Sequence, residues 1–322
     1  MSVAIQALVA RLPSRVQRRL DRITEPTAAF VRRRLGLDLF LAIGIALVVL
    51  RLYNVPPWDD KILDLHAYWM TRFGFNYAAS NPFAIGAYLY SPVFAQVIAP
   101  LTAMSFPVFA GLWTLMIVIT YVWLTGRWAM PFLFSIAIAL ELYLGQIDIL
   151  IAAAIVVGFR YPAVWAFPLL TKVAPGIGLA WFVFRGEWRK LAIALATTVA
   201  IAAVSAFFTP YDWKSWFDFL ASSFTQPHPV VGDYITIPYL LRVPVALAVI
   251  WWGARTDRYW TVPVGVLIAM PILWVNVFSL LIAVIPLRHE PGLTPAREWL
   301  SRGIPLFQRR TSPRALRRAP GG

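Results

Sequence analysis

Residues 56–92 read PPWDDKILDLHAYWMTRFGFNYAASNPFAIGAYLYSP and form a long polar interruption in a hydrophobic chain. Of the 322 residues, 60% are hydrophobic and only 14% are charged, whereas a soluble domain carries about 25% charged residues. Apolar runs recur along the chain at lengths suited to crossing a bilayer, which takes about 20 residues per helix. The composition therefore predicts an all-α, multi-span transmembrane helical bundle in one domain.

Basic residues are concentrated at the two ends of the chain. Of the 29 lysines and arginines, eight arginines lie in residues 1–36 and eight more in residues 288–322. Positive flanks of this kind orient membrane proteins with the flank in the cytoplasm. We therefore expect two basic cytoplasmic tails, the second one disordered, on either side of a transmembrane domain at residues 37–287. This distribution explains the net charge of +14 without a nucleic-acid partner.

Alternating the apolar runs between the two sides gives about ten membrane passes with both termini inside. Residues 37–53, 106–125 and 161–184 are three of the expected passes. Residues 260–287 are too long for one pass, and Pro271 is expected to divide them because proline removes a backbone donor.

This topology predicts that two polar segments, residues 56–92 and 209–233, lie on the same outer face. The first segment is an extracytoplasmic loop that is expected to contain an interfacial helix beginning near Lys61.

Asp64 is the candidate for acid–base chemistry within that helix. Asp59 or Asp60 is expected to cap the helix, but a cap does not explain Asp64, which shares a helix face with Asp60 and Tyr68. A carboxylate that is near a like charge and partly removed from water has a raised pKa, which suits a general base. The alternative is a solvated surface carboxylate.

Three charged residues lie inside later apolar runs. Glu141 and Asp148 are interpreted as polar fastening between short helices, with Gln146 beside them. Lys172 precedes Pro175, where a helix is expected to break, and a cation beside free helix-end donors suits a phosphate. The alternative for this lysine is snorkelling to the membrane interface.

The sequence predicts neither a metal site nor a cofactor. The three histidines lack any zinc-ligand spacing, and Asp59, Asp60 and Asp64 give only a weak signal for a divalent cation. The chain has no cysteine, no phosphate-binding loop and no soluble nucleotide-binding domain.

Several short motifs, in their order along the chain, resemble glycosyltransferase family 87, the polyprenol-phosphate-sugar-dependent membrane transferases of GT-C fold. The motifs are Asp64-Leu65-His66-Ala67-Tyr68, Tyr90-Ser91-Pro92-Val93-Phe94 with Ala99-Pro100-Leu101, Gly145-Gln146-Ile147-Asp148, Lys172-Val173-Ala174-Pro175 and Pro271-Ile272-Leu273-Trp274. The resemblance implies a GT-C-type bundle with Asp64 as the catalytic base. It also implies five substrate-binding residues, namely Lys172, Tyr68, Gln146, Asp148 and Asn276.

The resemblance implies an inverting transferase with a polyprenyl-phosphate-linked sugar as donor and mannose as the expected sugar. The acceptor would be a hydroxyl of a lipid-linked or cell-envelope glycan at the outer face of the plasma membrane. Two positions depart from the family pattern: Asp148 replaces an asparagine, and Asn276 replaces a frequent histidine and so carries no charge. The alternatives are a non-catalytic binder or flippase of the lipid-linked sugar on the same scaffold, or a structural membrane subunit.

Overall fold

A computed structural model describes residues 63–74, 77, 88–225 and 239–288. Outside this part lie the expected first pass at residues 37–53 and the capping candidates Asp59 and Asp60. The two expected tails also lie outside it, except for Arg288. Within it the chain is all-helical and contains no strand. The α-helices are α1 (Leu63–Met70), α2 (Pro92–Thr102), α3 (Phe106–Thr125), α4 (Ala129–Leu133), α5 (Ile136–Leu144), α6 (Asp148–Gly158), α7 (Ala166–Thr171), α8 (Ala180–Phe184), α9 (Trp188–Phe208), α10 (Pro210–Thr225), α11 (Tyr239–Arg255), α12 (Thr261–Ile268) and α13 (Val284–Leu287). Five 3-10 helices join them: Thr71–Phe73, Gly126–Trp128, Pro162–Trp165, Ala174–Leu179 and Val275–Ala283.

Two of the described helices are long and apolar enough to cross a membrane. They are α3, with 20 residues, and α9, with 21 residues. Helices α5 and α6 would make a third span if taken together, although the chain bends by 105° between them. Shorter apolar helices at residues 92–102, 162–171, 174–184 and 275–287 complete the bundle. The expected ten passes are therefore not confirmed and stay a prediction.

Residues 161–184 do not form the continuous helix expected of a simple pass. The chain there runs through a 3-10 helix, α7, a second 3-10 helix and α8. Pro162, Pro168 and Pro175 each lack a backbone N–H, and Lys172 adopts an extended conformation (φ −115°, ψ 108°) at the end of α7. The helix therefore breaks at a lysine.

The helices meet in an aromatic-rich core. Its largest fully buried side chains include Trp113, Trp165 and Trp181. Helix α1 packs on α2, α3 and α5 through Leu65, with 3% of its surface exposed, and Tyr68, with 1% exposed. The polar segment at residues 209–233 is helical over α10, which turns Trp213 and Trp216 inward; its part beyond residue 225 lies outside the described residues.

Candidate active site

Asp64 lies in the first turn of α1 and is half-buried. Among the described residues this helix begins at Leu63, and its place in an extracytoplasmic loop at the membrane interface stays a prediction. On the opposite side of the helix, His66 packs its ring against Phe106 and Trp69. His66 consequently does not form a dyad with Asp64.

The turn at Gly145 brings a second polar group to Asp64. Gly145 ends α5 in the left-handed conformation (φ +67°), and its carbonyl accepts a 2.7 Å hydrogen bond from Trp113 Nε1. A Cβ atom at Gly145 would lie 3.0 Å from Leu65 Cβ, so the absence of a side chain lets α1 approach the turn. The next residue, Gln146, donates from Nε2 to Asp64 Oδ2 at 2.6 Å.

Lys172 reaches the same glutamine from the broken end of α7. Its Nζ donates to Gln146 Oε1 at 3.1 Å and to Asp148 Oδ1 at 2.7 Å. Only 18% of the lysine side chain is exposed, and none of the aspartate side chain. The ammonium thus pairs with side chains of the bundle, which favours an interior position over the snorkelling alternative.

Glu141 and Asn276 complete the arrangement. Glu141 is fully buried and accepts from the Ile149 backbone N–H at 3.1 Å, which satisfies a free donor at the start of α6. Asn276 Nδ2 lies 3.4 Å from Glu141 Oε2 and 3.4 Å from Asp148 Oδ2. Glu141 and Asp148 therefore do fasten α5, α6 and the 3-10 helix at Val275–Ala283, as the sequence suggested.

These contacts form one continuous set, which we call the polar chain. Its members are Asp64, Gln146, Lys172, Asp148, Asn276 and Glu141, in order of contact. It brings together five of the six residues that the sequence singled out for catalysis or binding. Charged groups that are buried in this way are stable only when they are paired and hydrogen-bonded.

Tyr68 is the predicted site residue that lies outside the polar chain. Its hydroxyl lies 2.9 Å from the Tyr90 hydroxyl, and its ring packs against Trp113 and Phe94. Because only 1% of Tyr68 is exposed, the residue belongs to the packing behind the site. A direct contact between Tyr68 and a substrate stays a prediction.

The surroundings of Asp64 make its carboxylate a stronger base than usual. Burial raises the pKa of Asp64 from 3.8 to about 6. The negative charge of Asp148 adds to this increase, whereas the Gln146 hydrogen bond and the Lys172 charge lower the pKa. A general base works best when its pKa is near the operating pH. Asp64 has this property while remaining mostly ionised at neutral pH.

Within the described part of the chain, no group of three or more His, Cys, Asp or Glu side chains could hold a metal ion. In the polar chain, Asp148 pairs with Lys172, and the Asn276 amide contacts both Glu141 and Asp148.

Sequence reasoning missed two kinds of residue around the site. Arg242, buried in α11, donates to the carbonyls of Met270 and Pro271 at 2.8 Å each and holds the segment that leads to Asn276. An arginine inside an apolar helix was a visible signal for it. Trp113 was one of 15 tryptophans, and nothing in the sequence marked it as the partner of Gly145.

The fold and the polar chain define a helical membrane protein in which one amide bridges a carboxylate and an ammonium. The sequence model of glycosyltransferase family 87 matches residues 88–292, which is more than half of the chain. The chain therefore belongs to glycosyltransferase family 87 and is a membrane glycosyltransferase. The match includes Gln146, Asp148, Lys172 and Asn276, whereas Asp64 precedes it. No curated protein and no solved structure matches this chain.

Proposed function

We propose that this protein is an inverting hexosyltransferase of GT-C architecture that uses a polyprenyl-phosphate-linked sugar, mannose, as donor. The acceptor is a hydroxyl of a lipid-linked or cell-envelope glycan. The reaction takes place at the outer face of the plasma membrane, and both termini lie in the cytoplasm. The observation that carries the proposal is that Gln146 contacts both Asp64 and Lys172.

Asp64 is the general base in this mechanism. Gln146 holds Oδ2 of the carboxylate, and the other oxygen, Oδ1, accepts the proton of the acceptor hydroxyl. The acceptor oxygen then attacks the anomeric carbon from the side opposite the phosphate. The new C–O bond forms as the bond between the anomeric carbon and the phosphate oxygen breaks, so the configuration inverts.

Lys172 receives the negative charge that develops on the leaving polyprenyl phosphate. Its ammonium is held at the break between α7 and the 3-10 helix at Ala174–Leu179. A fixed cation of this kind contributes most when charge develops in the transition state. Asp148 and Gln146 prevent the lysine from leaving this position before the donor binds.

The Asp64→Asn variant tests the proposal in membranes supplied with labelled polyprenyl phosphomannose and an extract of cell-envelope lipids. Transfer should fall by at least about 10²-fold, the smallest effect typical of losing a general base, while the amount of protein in the membrane stays the same. Asp218→Asn is the matched control, since Asp218 is exposed on α10 and pairs only with Lys214 among the described residues.

Retained transfer by the Asp64→Asn variant would overturn the catalytic role of this residue.

Donors carrying glucose, galactose or N-acetylglucosamine test the identity of the sugar in the same assay. If the wild-type protein binds the labelled donor but never releases its sugar to any acceptor, the non-catalytic binding protein is the correct alternative. Movement of the intact donor across the bilayer would identify a flippase.

A further inference from the structure

A tyrosine hydroxyl outside the polar chain fixes the helix that carries Asp64. Tyr90 OH lies 2.9 Å from the hydroxyl of Tyr68, which follows Asp64 by one turn of α1. The two rings are in contact, with centroids 5.5 Å apart, and Tyr90 is only 7% exposed. A hydrogen bond in such an interior is costly to lose, because the partner left behind stays buried and unsatisfied.

The neighbouring serine hydroxyl fixes the segment that carries Lys172. Ser91 is completely buried, and its Oγ donates to the Leu170 carbonyl at 2.5 Å. Leu170 belongs to the last turn of α7, where carbonyls have no partner within the helix. Lys172 follows Leu170 by two residues, at the point where the chain becomes extended.

Two adjacent residues reach both elements with their side-chain hydroxyls. The Tyr90 hydroxyl meets the Tyr68 hydroxyl on α1, and the Ser91 hydroxyl meets the Leu170 carbonyl of α7. We call these two side chains the hydroxyl bridge.

Two tyrosine hydroxyls bind the backbone carbonyls of the two hydroxyl-bridge residues. Tyr77 OH donates to the Tyr90 carbonyl at 2.6 Å, and Tyr88 OH donates to the Ser91 carbonyl at 2.9 Å. Pro92 follows immediately as the first residue of α2, where its ring fixes φ. The bridge is thus a rigid support and not one conformer of a loose loop.

We propose that Tyr90 and Ser91 are positioning residues that set the separation between Asp64 and Lys172. The inference rests on the proposed function, in which the acceptor hydroxyl meets Asp64 while the donor phosphate meets Lys172. The polar chain joins the two ends through the side chain of Gln146, whereas the hydroxyl bridge runs from the Tyr68 hydroxyl on α1 to the Leu170 backbone carbonyl of α7. A misplacement of about 1 Å between reacting groups can cost 10²-fold in rate.

The Tyr90→Phe and Ser91→Ala variants each remove one hydroxyl and test the bridge. Each should lower kcat by about ten- to a hundredfold, with a smaller effect on the KM for the donor. Each should also move the acid limb of the pH–rate profile to higher pH, since Gln146 and Lys172 both lower the pKa of Asp64 and would be displaced from it.

Two control variants remove hydroxyls that are equally buried but do not connect α1 with α7. The Tyr121 hydroxyl bonds to the Ala129 carbonyl, and the Thr102 hydroxyl bonds to the Ala99 carbonyl within α2. Tyr121→Phe and Thr102→Val should keep the wild-type acid limb. Bridge variants that only lose thermal stability, with an unchanged acid limb and kcat, would overturn the proposal.

A second readout does not depend on catalysis. The chain contains no cysteine, so single cysteines at Met70 (39% exposed) and Val173 (52% exposed) can carry a pair of spin labels. Dipolar EPR on the membrane-embedded protein should give a broader distance distribution in Tyr90→Phe and Ser91→Ala than in Tyr121→Phe and Thr102→Val.

The two readouts separate failure of this inference from failure of the proposed function. If Asp64→Asn retains transfer, the proposed catalytic role of Asp64 is wrong, and if the wild-type protein transfers no sugar, the proposed function is wrong. In both cases the EPR distances still report whether the bridge holds α1 and α7 together. If Asp64→Asn is inactive while the distances and the acid limb of the bridge variants match those of the wild type, only the positioning role is wrong.

Discussion

Gln146 donates its amide N–H to the Asp64 carboxylate at 2.6 Å, across 82 positions of the chain. The orientation of the amide is fixed chemically, because a carboxylate accepts and an ammonium only donates. The amide nitrogen must therefore face Asp64 and the amide oxygen must face Lys172, as observed. One neutral side chain thereby couples the Asp64 carboxylate to the Lys172 ammonium without neutralising either group.

Transfer should depend on pH through the ionisation of Asp64. Only the ionised carboxylate can accept the acceptor's proton, and burial raises the pKa of Asp64 to about 6. The rate should be half its maximum near pH 6, reach a plateau well above it and fall tenfold per pH unit well below it. Initial rates measured with saturating donor on both sides of pH 6 check this. An acid limb near 4, the ordinary range of an aspartate, would contradict a buried base.

The Gln146→Leu variant serves as the control for that assignment. Removing the amide removes a hydrogen bond that lowers the pKa of Asp64, so the acid limb should move above pH 6. The rate at high pH should also fall, since Lys172 loses one of its two acceptors. An acid limb that stays in place, or moves to lower pH, would show that another group controls the profile.

Replacing Lys172 with methionine should weaken both the reaction and the fold. Loss of a fixed charge donor in a transition state typically costs about 10²–10³-fold in kcat. The variant also leaves Asp148 buried without its partner, which costs about 3–5 kcal/mol of stability for a broken buried pair. Membrane transfer assays and thermal unfolding in detergent measure the two effects.

A double variant separates the two consequences. Lys172→Met combined with Asp148→Asn leaves no unpaired charge at this contact, so much of the thermal stability should return. Transfer should stay low, because no cation faces the phosphate. Recovery of activity together with stability would mean that Lys172 serves only the fold.

Gly145→Ala should destabilise the protein through backbone strain and crowding. An alanine in the left-handed conformation costs about 1–2 kcal/mol, and its Cβ would lie 3.0 Å from Leu65. Gly186→Ala is a matched control, because Gly186 has the same φ of +67° but only Trp188 Nε1 within reach, at 3.9 Å. Equal losses in unfolding temperature for the two variants would mean that crowding against α1 contributes nothing.

Local pattern predicted the strongest elements of the fold correctly. The run of apolar residues at 106–125 coincides with α3, and Pro271 lies in a helical break between α12 and the 3-10 helix at Val275–Ala283. The interfacial loop helix expected near Lys61 stays a prediction. Residues 161–184 were predicted less well. Hydrophobicity alone indicates one span there, but three prolines and the extended conformation of Lys172 divide it into short helices.

The sequence by itself determined the class of protein, because hydrophobic content, charge at the tails and family motifs are properties of residue order. It also identified Asp64, Gln146, Asp148, Lys172 and Asn276 as separate candidates. Only the tertiary structure decided that these residues form one chain of contacts, and that Tyr68 supports the site from behind. The physical reason is that such contacts join residues far apart in sequence. They require α1 to pack closely on the turn at Gly145, which has no side chain, and they require hydrogen bonds from buried hydroxyls.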